Sequence, residues 1–198
     1  MFRTVLRLSR PSLRPYSTLS HPQVEALDRW ISTPHEQVLS DTFHLERLSD
    51  LYITLPTRDG SRQRYLPPKE TSPLGYAHHI AFFHARTPEA ELREDGTDAD
   101  FSPPVPFTQR MWAGGKMVWD PEVPLMIGQR ATATWGIDSV KKKGFDDPQK
   151  TPMVFVNQRI DVTMEGNMRP SLVEERSHVY LAVTSCAPMR RNPRQGVL

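Results

Sequence analysis

The feature that most constrains this chain is a period of two in its last third. Ala131, Ala133, Trp135 and Ile137 alternate with other residues; Val154, Val156, Ile160, Val162 and Met164 repeat the pattern; Val173, Val179, Leu181 and Val183 give a third run. Successive side chains of an extended strand point to opposite faces, so each run offers one face to a core and one to solvent. The runs are joined by turn-like segments, Gly144-Phe145-Asp146-Asp147-Pro148 and Gly166-Asn167. Parallel neighbours would need crossovers of roughly a dozen residues or more, so the spacing predicts an antiparallel meander of three strands, the first ending near Lys142.

Ahead of the meander the period changes. His21 to Thr33 reads as a short helix, because Ser20 can cap it, Pro22 suits the first turn, and Val24, Leu27 and Ile31 recur at spacings of three and four before Pro34. A second helix is expected from Thr42 to Leu55, capped by Asp41, with Phe43, Leu48, Leu51, Tyr52 and Leu55 as its apolar stripe and Pro56 and Asp59-Gly60 closing it. From Leu66 to Pro106 the chain is loop-rich, punctuated by Pro67-Pro68, Asp95-Gly96 and Pro103-Pro104, and its one apolar run, Tyr76 to Phe83, predicts a strand. Helices early and sheet late make the class α+β. The chain has 198 residues, room for one domain, and nineteen prolines against ten glycines, which favours short elements over a long coiled coil. The mean hydropathy of −0.54 and the absence of any stretch near ~20 apolar residues predict a soluble protein with no membrane partner.

The two ends differ from the middle. Arg3, Arg7, Arg10 and Arg14 stand among serines with no acid before Glu25, the composition of a mitochondrial transit peptide, and Arg14-Pro15-Tyr16-Ser17 resembles a matrix-protease cleavage site. Cleavage after Tyr16 would remove four of the 25 basic residues and none of the 23 acidic ones, carrying the net charge from +2 to −2. The expected organisation is a transit peptide at 1–16, a folded unit at 17–183 and an irregular tail at 184–198, located in the mitochondrial matrix.

Several chemistries lack support. Cys186 is the single cysteine, so neither an internal disulfide nor a cysteine zinc cluster can form. No Walker loop or glycine-rich dinucleotide fingerprint occurs, and no cofactor is expected. The acidic stretch Glu89 to Asp100 and the triplet Lys141-Lys142-Lys143 read as solvated surface, and nucleic acid is not expected as a partner. His78, His79 and His84 lie close in sequence, but strand alternation would turn His78 and His79 to opposite faces, which argues against a metal site. His79 remains a candidate general base, or a histidine satisfied by hydrogen bonds at a sheet edge. Phe107 to Val118 is the most unusual stretch. Gly114-Gly115 permits positive φ or close approach, with Trp112 before it and the Arg110 guanidinium as an anion-binding fork, and both a glycine bulge and a binding role satisfy it.

Four segments together carry a resemblance: Pro73-Leu74-Gly75-Tyr76-Ala77-His78-His79-Ile80-Ala81-Phe82-Phe83, the Asp95-Gly96 turn, Pro106-Phe107 with Arg110-Met111-Trp112-Ala113-Gly114-Gly115, and Glu174-Glu175-Arg176 through Val179-Tyr180. Over roughly residues 21–182 the chain resembles the N-terminal half of the fungal mitochondrial hydroxyacyl-thioester dehydratases of type 2 and their mesaconyl-C4-CoA hydratase relatives. The resemblance implies a hotdog fold, a helix wrapped by an antiparallel sheet. It also implies reversible loss of water from a (3R)-3-hydroxyacyl thioester of CoA or acyl carrier protein in mitochondrial fatty-acid or acyl-CoA metabolism. In that family an aspartate and a histidine about five residues apart, in a second hotdog unit, serve as base and acid. No aspartate of this chain has a histidine five positions later. The expectations are therefore a hydro-lyase, or a catalytically incomplete hotdog module that binds acyl thioesters or pairs with a separate catalytic subunit, with a homodimer or pairing with another hotdog unit expected in either case. Arg110, Trp112, Gly114 and Gly115 are the candidate substrate contacts.

Overall fold

A computed structural model describes residues 19–55, 67–93, 96–97, 99–147 and 149–183. The expected transit peptide, the tail with Cys186, and the turn positions Asp59, Gly60, Asp95 and Pro148 lie outside the described residues. Five strands, β1 (Glu36–Thr42), β2 (Phe107–Trp119), β3 (Arg130–Lys143), β4 (Met153–Met164) and β5 (Leu172–Ala182), form one sheet in the order β1-β3-β4-β5-β2. Every neighbouring pair is antiparallel. The meander β3-β4-β5 is the one the spacing predicts, but in β5 the face turned to the helices carries Leu172, Glu174, Arg176, His178 and Tyr180, and the alternating Val173, Val179 and Leu181 lie on the opposite face. Helix α1 (His21–Ser32) also follows its sequence signals, with the backbone N–H of Ser20 donating to Gln23 Oε1 at 2.8 Å and Pro22 in the first turn.

Three expectations need correction. The second helix, α2, runs only from Leu45 to Thr54, and the residues expected to begin and cap it belong to β1 or its exit. Asp41 is not a helix cap. It pairs with Ala131 across the sheet, and its carboxylate accepts from Arg47 at 2.9 Å and from the backbone N–H of Thr42 at 2.8 Å. The run Tyr76 to Phe83 is not a strand. Ala77 and Phe83 take positive φ of 66° and 59°, and His78–Ala81 between them makes a 3₁₀ turn. The reason is packing: Phe82 and Phe83 both meet the Phe43 ring edge-on, at 5.0 and 5.8 Å, whereas a strand would send consecutive side chains to opposite faces. The candidate stretch at Phe107 begins a 13-residue strand, β2, earlier than the period-two pattern indicated, with an irregularity between Trp112 and Gly114.

Along β4, the buried residues Val154, Val156, Gln158, Ile160, Val162 and Met164 all sit on one face. Both helices cover that face. Leu48 of α2, with Phe43, Phe82, Phe83 and Leu125, packs on Ala131, Ala133, Ile160, Val162 and Leu172. Leu27 of α1 packs with Phe107, Val154, Val156 and Tyr180 at the other end. Full burial of an aliphatic chain of this size contributes roughly 1.5–3 kcal/mol, so Leu27 and Leu48 anchor their helices. The result is an α+β hotdog unit, helix against one face of a five-stranded antiparallel sheet. A polar band separates the two apolar clusters, at the level where Gln158 faces Arg176.

Candidate functional site

Alternation along β5 places Leu172, Glu174, Arg176, His178 and Tyr180 on the helix-covered face. Glu174 is therefore a carboxylate inside the fold, 2 % exposed. Two groups hold it. Arg176, two residues on and on the same face, donates Nε to Oε1 at 2.7 Å and Nη2 to Oε2 at 3.1 Å. From above, the 3₁₀ turn lowers His79, 3 % exposed, so that Nε2 stands 2.8 Å from Oε2. Burial by itself would raise the Glu174 carboxyl above its usual 4.5, but the His79 and Arg176 hydrogen bonds and the adjacent positive charge more than offset it and hold the group at about 2. The carboxylate is thus ionised at any working pH and can only accept, so His79 donates from Nε2.

His79 Nδ1 has no hydrogen-bond partner among the described residues, and neither does Trp135 Nε1, although both atoms are buried. Both side chains line a cavity of about 110 Å³ with Phe82, Ile160, Glu174 and Arg176. The Arg176 guanidinium carbon lies 5.3 Å from the centre of the Trp135 ring, and Trp119 meets His79 edge-on at 5.4 Å. His78 lies outside this group. Its ring faces Tyr52 with Nδ1 3.3 Å from the hydroxyl, and burial, then the neighbouring His79, lowers its basicity. Among the described residues no three His, Cys, Asp or Glu side chains are placed to hold a metal ion.

The four residues singled out for substrate contact lie together on β2, and none of them lines the His79 cavity; Gly114 and Gly115 border a separate cleft with Gln158 and Arg176. Arg110 is exposed, and Trp112, 59 % exposed, sets its ring edge-on to His178 at 5.3 Å. Gly114 takes φ of 151° at the strand irregularity, a conformation that suits glycine. Gly115 serves close approach: a Cβ there would lie 2.8 Å from both the Glu175 carbonyl oxygen and the Trp112 ring. The neighbours it admits are the adjacent strand and its own tryptophan. His178 is driven towards its neutral form by burial first and then by the charges of Arg110 and Arg176. Sequence reasoning reached His79 but assigned no chemistry to Glu174, Arg176 or Trp135. The signal was present in two charged residues at inward positions of a strand whose other inward residues are Leu172, His178 and Tyr180.

β2 is an edge strand, and it is exposed along most of its length. Met111, Trp112, Met117 and Val118 are all large, apolar and solvent-facing there. A long apolar edge with free backbone groups is a template for another strand.

The chain is similar to known proteins in three ways. It aligns with a MaoC-like dehydratase from Rhodospirillum rubrum at a TM-score of 0.41 and 10 % identity, covering 79 % of this chain and 97 % of that one. It is 33 % identical over 91 residues to the mesaconyl-C(4)-CoA hydratase of Chloroflexus aurantiacus, covering 45 % of this chain and 31 % of the relative, so the match spans about a third of that protein's length. The family model of the hydroxyacyl-thioester dehydratases of type 2 matches residues 77–196, a span that takes in the 3₁₀ turn with His79, all of β2 to β5, and the Glu174–Arg176 pair. With more than half of its length matched by that model, the chain belongs to the hydroxyacyl-thioester dehydratase type 2 family.

Proposed function

We propose that this protein works on acyl thioesters as a hydro-lyase unit, interconverting (3R)-3-hydroxyacyl and trans-2-enoyl thioesters, and that it does so as one half of a paired hotdog assembly joined along β2. The observation that carries the pairing is the apolar edge itself: Met111, Trp112, Met117 and Val118 on a 13-residue strand with no neighbour on its outer side among the described residues. A second unit added there would bury those side chains and satisfy the free edge. Arg110, Trp112, Gly114 and Gly115 would then lie at the seam, with the Arg110 guanidinium available to a CoA phosphate or thioester oxygen. Family membership supports the reaction class. The arginine-rich first sixteen residues support placing the reaction in the mitochondrial matrix.

The test joins light scattering over a concentration series to a crotonyl-CoA hydration assay. Association together with turnover is the expected result. Thioester binding without turnover would assign the chain to the binding half of such an assembly. A monomer at every concentration that neither binds nor hydrates crotonyl-CoA would sink the proposal.

A further inference from the structure

We infer that the cavity beneath the 3₁₀ turn is a binding site for a single hydroxyl group, held between the Nδ1 lone pair of His79 and the Nε1–H of Trp135. Size is the first argument. At about 110 Å³ the cavity has ample room for a water or a small substituent, and it is well below the roughly 300–1,000 Å³ of pockets that enclose whole ligands. It suits a small group, not an acyl chain with its thioester.

Polarity is the second argument. Ile80, Phe82, Phe83, Ile160 and Val162 make much of the wall apolar, so the few polar atoms decide what is held and how it is oriented. Two of the side chains that line it carry a buried polar atom with no partner among the described residues, His79 Nδ1 and Trp135 Nε1. A buried polar atom left without a partner is costly, so something is expected to meet each of them. Their characters differ. Glu174 fixes the His79 proton on Nε2, which leaves Nδ1 of a neutral ring as an acceptor, while an indole Nε1 can only donate. Arg176 already compensates the Glu174 charge through two hydrogen bonds, so a neutral His79 keeps the buried trio at net zero. A ligand that both donates and accepts through one atom matches this pair. A hydroxyl does so; an anion would face the Nδ1 lone pair and the Glu174 carboxylate, and a cation could not accept from Trp135.

A hydroxyl can come from water or from the 3-hydroxyl of a 3-hydroxyacyl thioester, and the second source rests on the function proposed above. His79 is then a positioning residue in the first case and a substrate contact in the second. Nitrogen-15 NMR of the uniformly labelled full chain at neutral pH separates them, with the His79 ring assigned through its own couplings. The expected ring is neutral, with its proton on Nε2 and Nδ1 shifted towards the hydrogen-bonded side. If that shift is present without ligand and unchanged by 3-hydroxybutyryl-CoA or butyryl-CoA, the hydroxyl is water. If it appears with 3-hydroxybutyryl-CoA and not with butyryl-CoA, the hydroxyl is the substrate's. In either case Trp135→Phe, which deletes only the indole donor, is expected to weaken the shift while leaving the Nε2 proton in place. A doubly protonated His79, or an Nδ1 lone pair free under all three conditions, overturns the inference. Failure of crotonyl-CoA hydration, by contrast, would remove the functional proposal and leave the Nδ1 reading standing.

Discussion

Replacing Glu174 with glutamine tests the central electrostatic feature of this fold in one substitution. The carboxyl is held at about 2, against 4.5 for an unperturbed glutamate, and the side chain is almost fully enclosed. At about 1.4 kcal/mol for each pH unit of separation, the preference for the ionised form contributes about 3 kcal/mol to folding near neutrality. The sign follows from the folded value lying below the unfolded one. The contribution is complete above about pH 5.5, falls as pH drops through 4.5, and has shrunk to about 1 kcal/mol at pH 3. Glutamine is close to isosteric but cannot ionise, so Glu174→Gln is expected to unfold about 3 kcal/mol more easily than the native chain at pH 6 to 7, with most of that deficit gone at pH 3. Urea unfolding of both proteins at pH 7, 6, 4 and 3 gives the difference directly. A deficit that stays constant within about 1 kcal/mol across this range would refute the reading of Glu174 as a buried anion held by His79 and Arg176.

Three further outcomes follow from the same structure. Gly115→Ala puts a methyl 2.8 Å from the Glu175 carbonyl oxygen and the Trp112 ring, so it should cost about 1–3 kcal/mol in thermal unfolding and change tryptophan emission; an unchanged melting temperature would contradict the described packing. The double change Met111→Lys and Val118→Lys places two charges on the β2 edge and should lower self-association in light scattering without altering the circular dichroism spectrum, whereas undiminished association would locate the contact elsewhere. Burial holds the His178 imidazole below its usual 6.5, and protonation so near the Trp112 ring should quench its fluorescence, so the quenching that His178→Gln abolishes should have its midpoint below pH 6.5; a midpoint at or above that value would refute the assignment.

The sequence by itself determined those elements whose own side chains alternate or recur regularly. β3 and β4 each carry a period-two apolar pattern that has one solution, and α1 carries its cap, its first-turn proline and its stripe within thirteen residues; the alternation of β5 marks a strand but not its inward face, because Glu174 and Arg176 take inward positions that only partners on other elements make tolerable. The family was legible for a related reason: the 3₁₀ turn, β2 and β5 keep recognisable local strings. What only the tertiary structure decided is what depends on a distant partner. Glu36–Thr42 shows little apolar alternation and becomes a strand because β3 offers it an edge from Gly136 to Arg130. Tyr76 to Phe83 has the residues of a strand, yet Phe43 draws Phe82 and Phe83 to one side and the backbone turns to allow it. The polar trio joins positions 79, 174 and 176, and the pairing of its histidine and glutamate spans 95 residues of chain. No local pattern encodes that distance. In sequence His79 is one of three neighbouring histidines, and only the closing of the 3₁₀ turn over β5 gives it a carboxylate on one nitrogen and a cavity beside it.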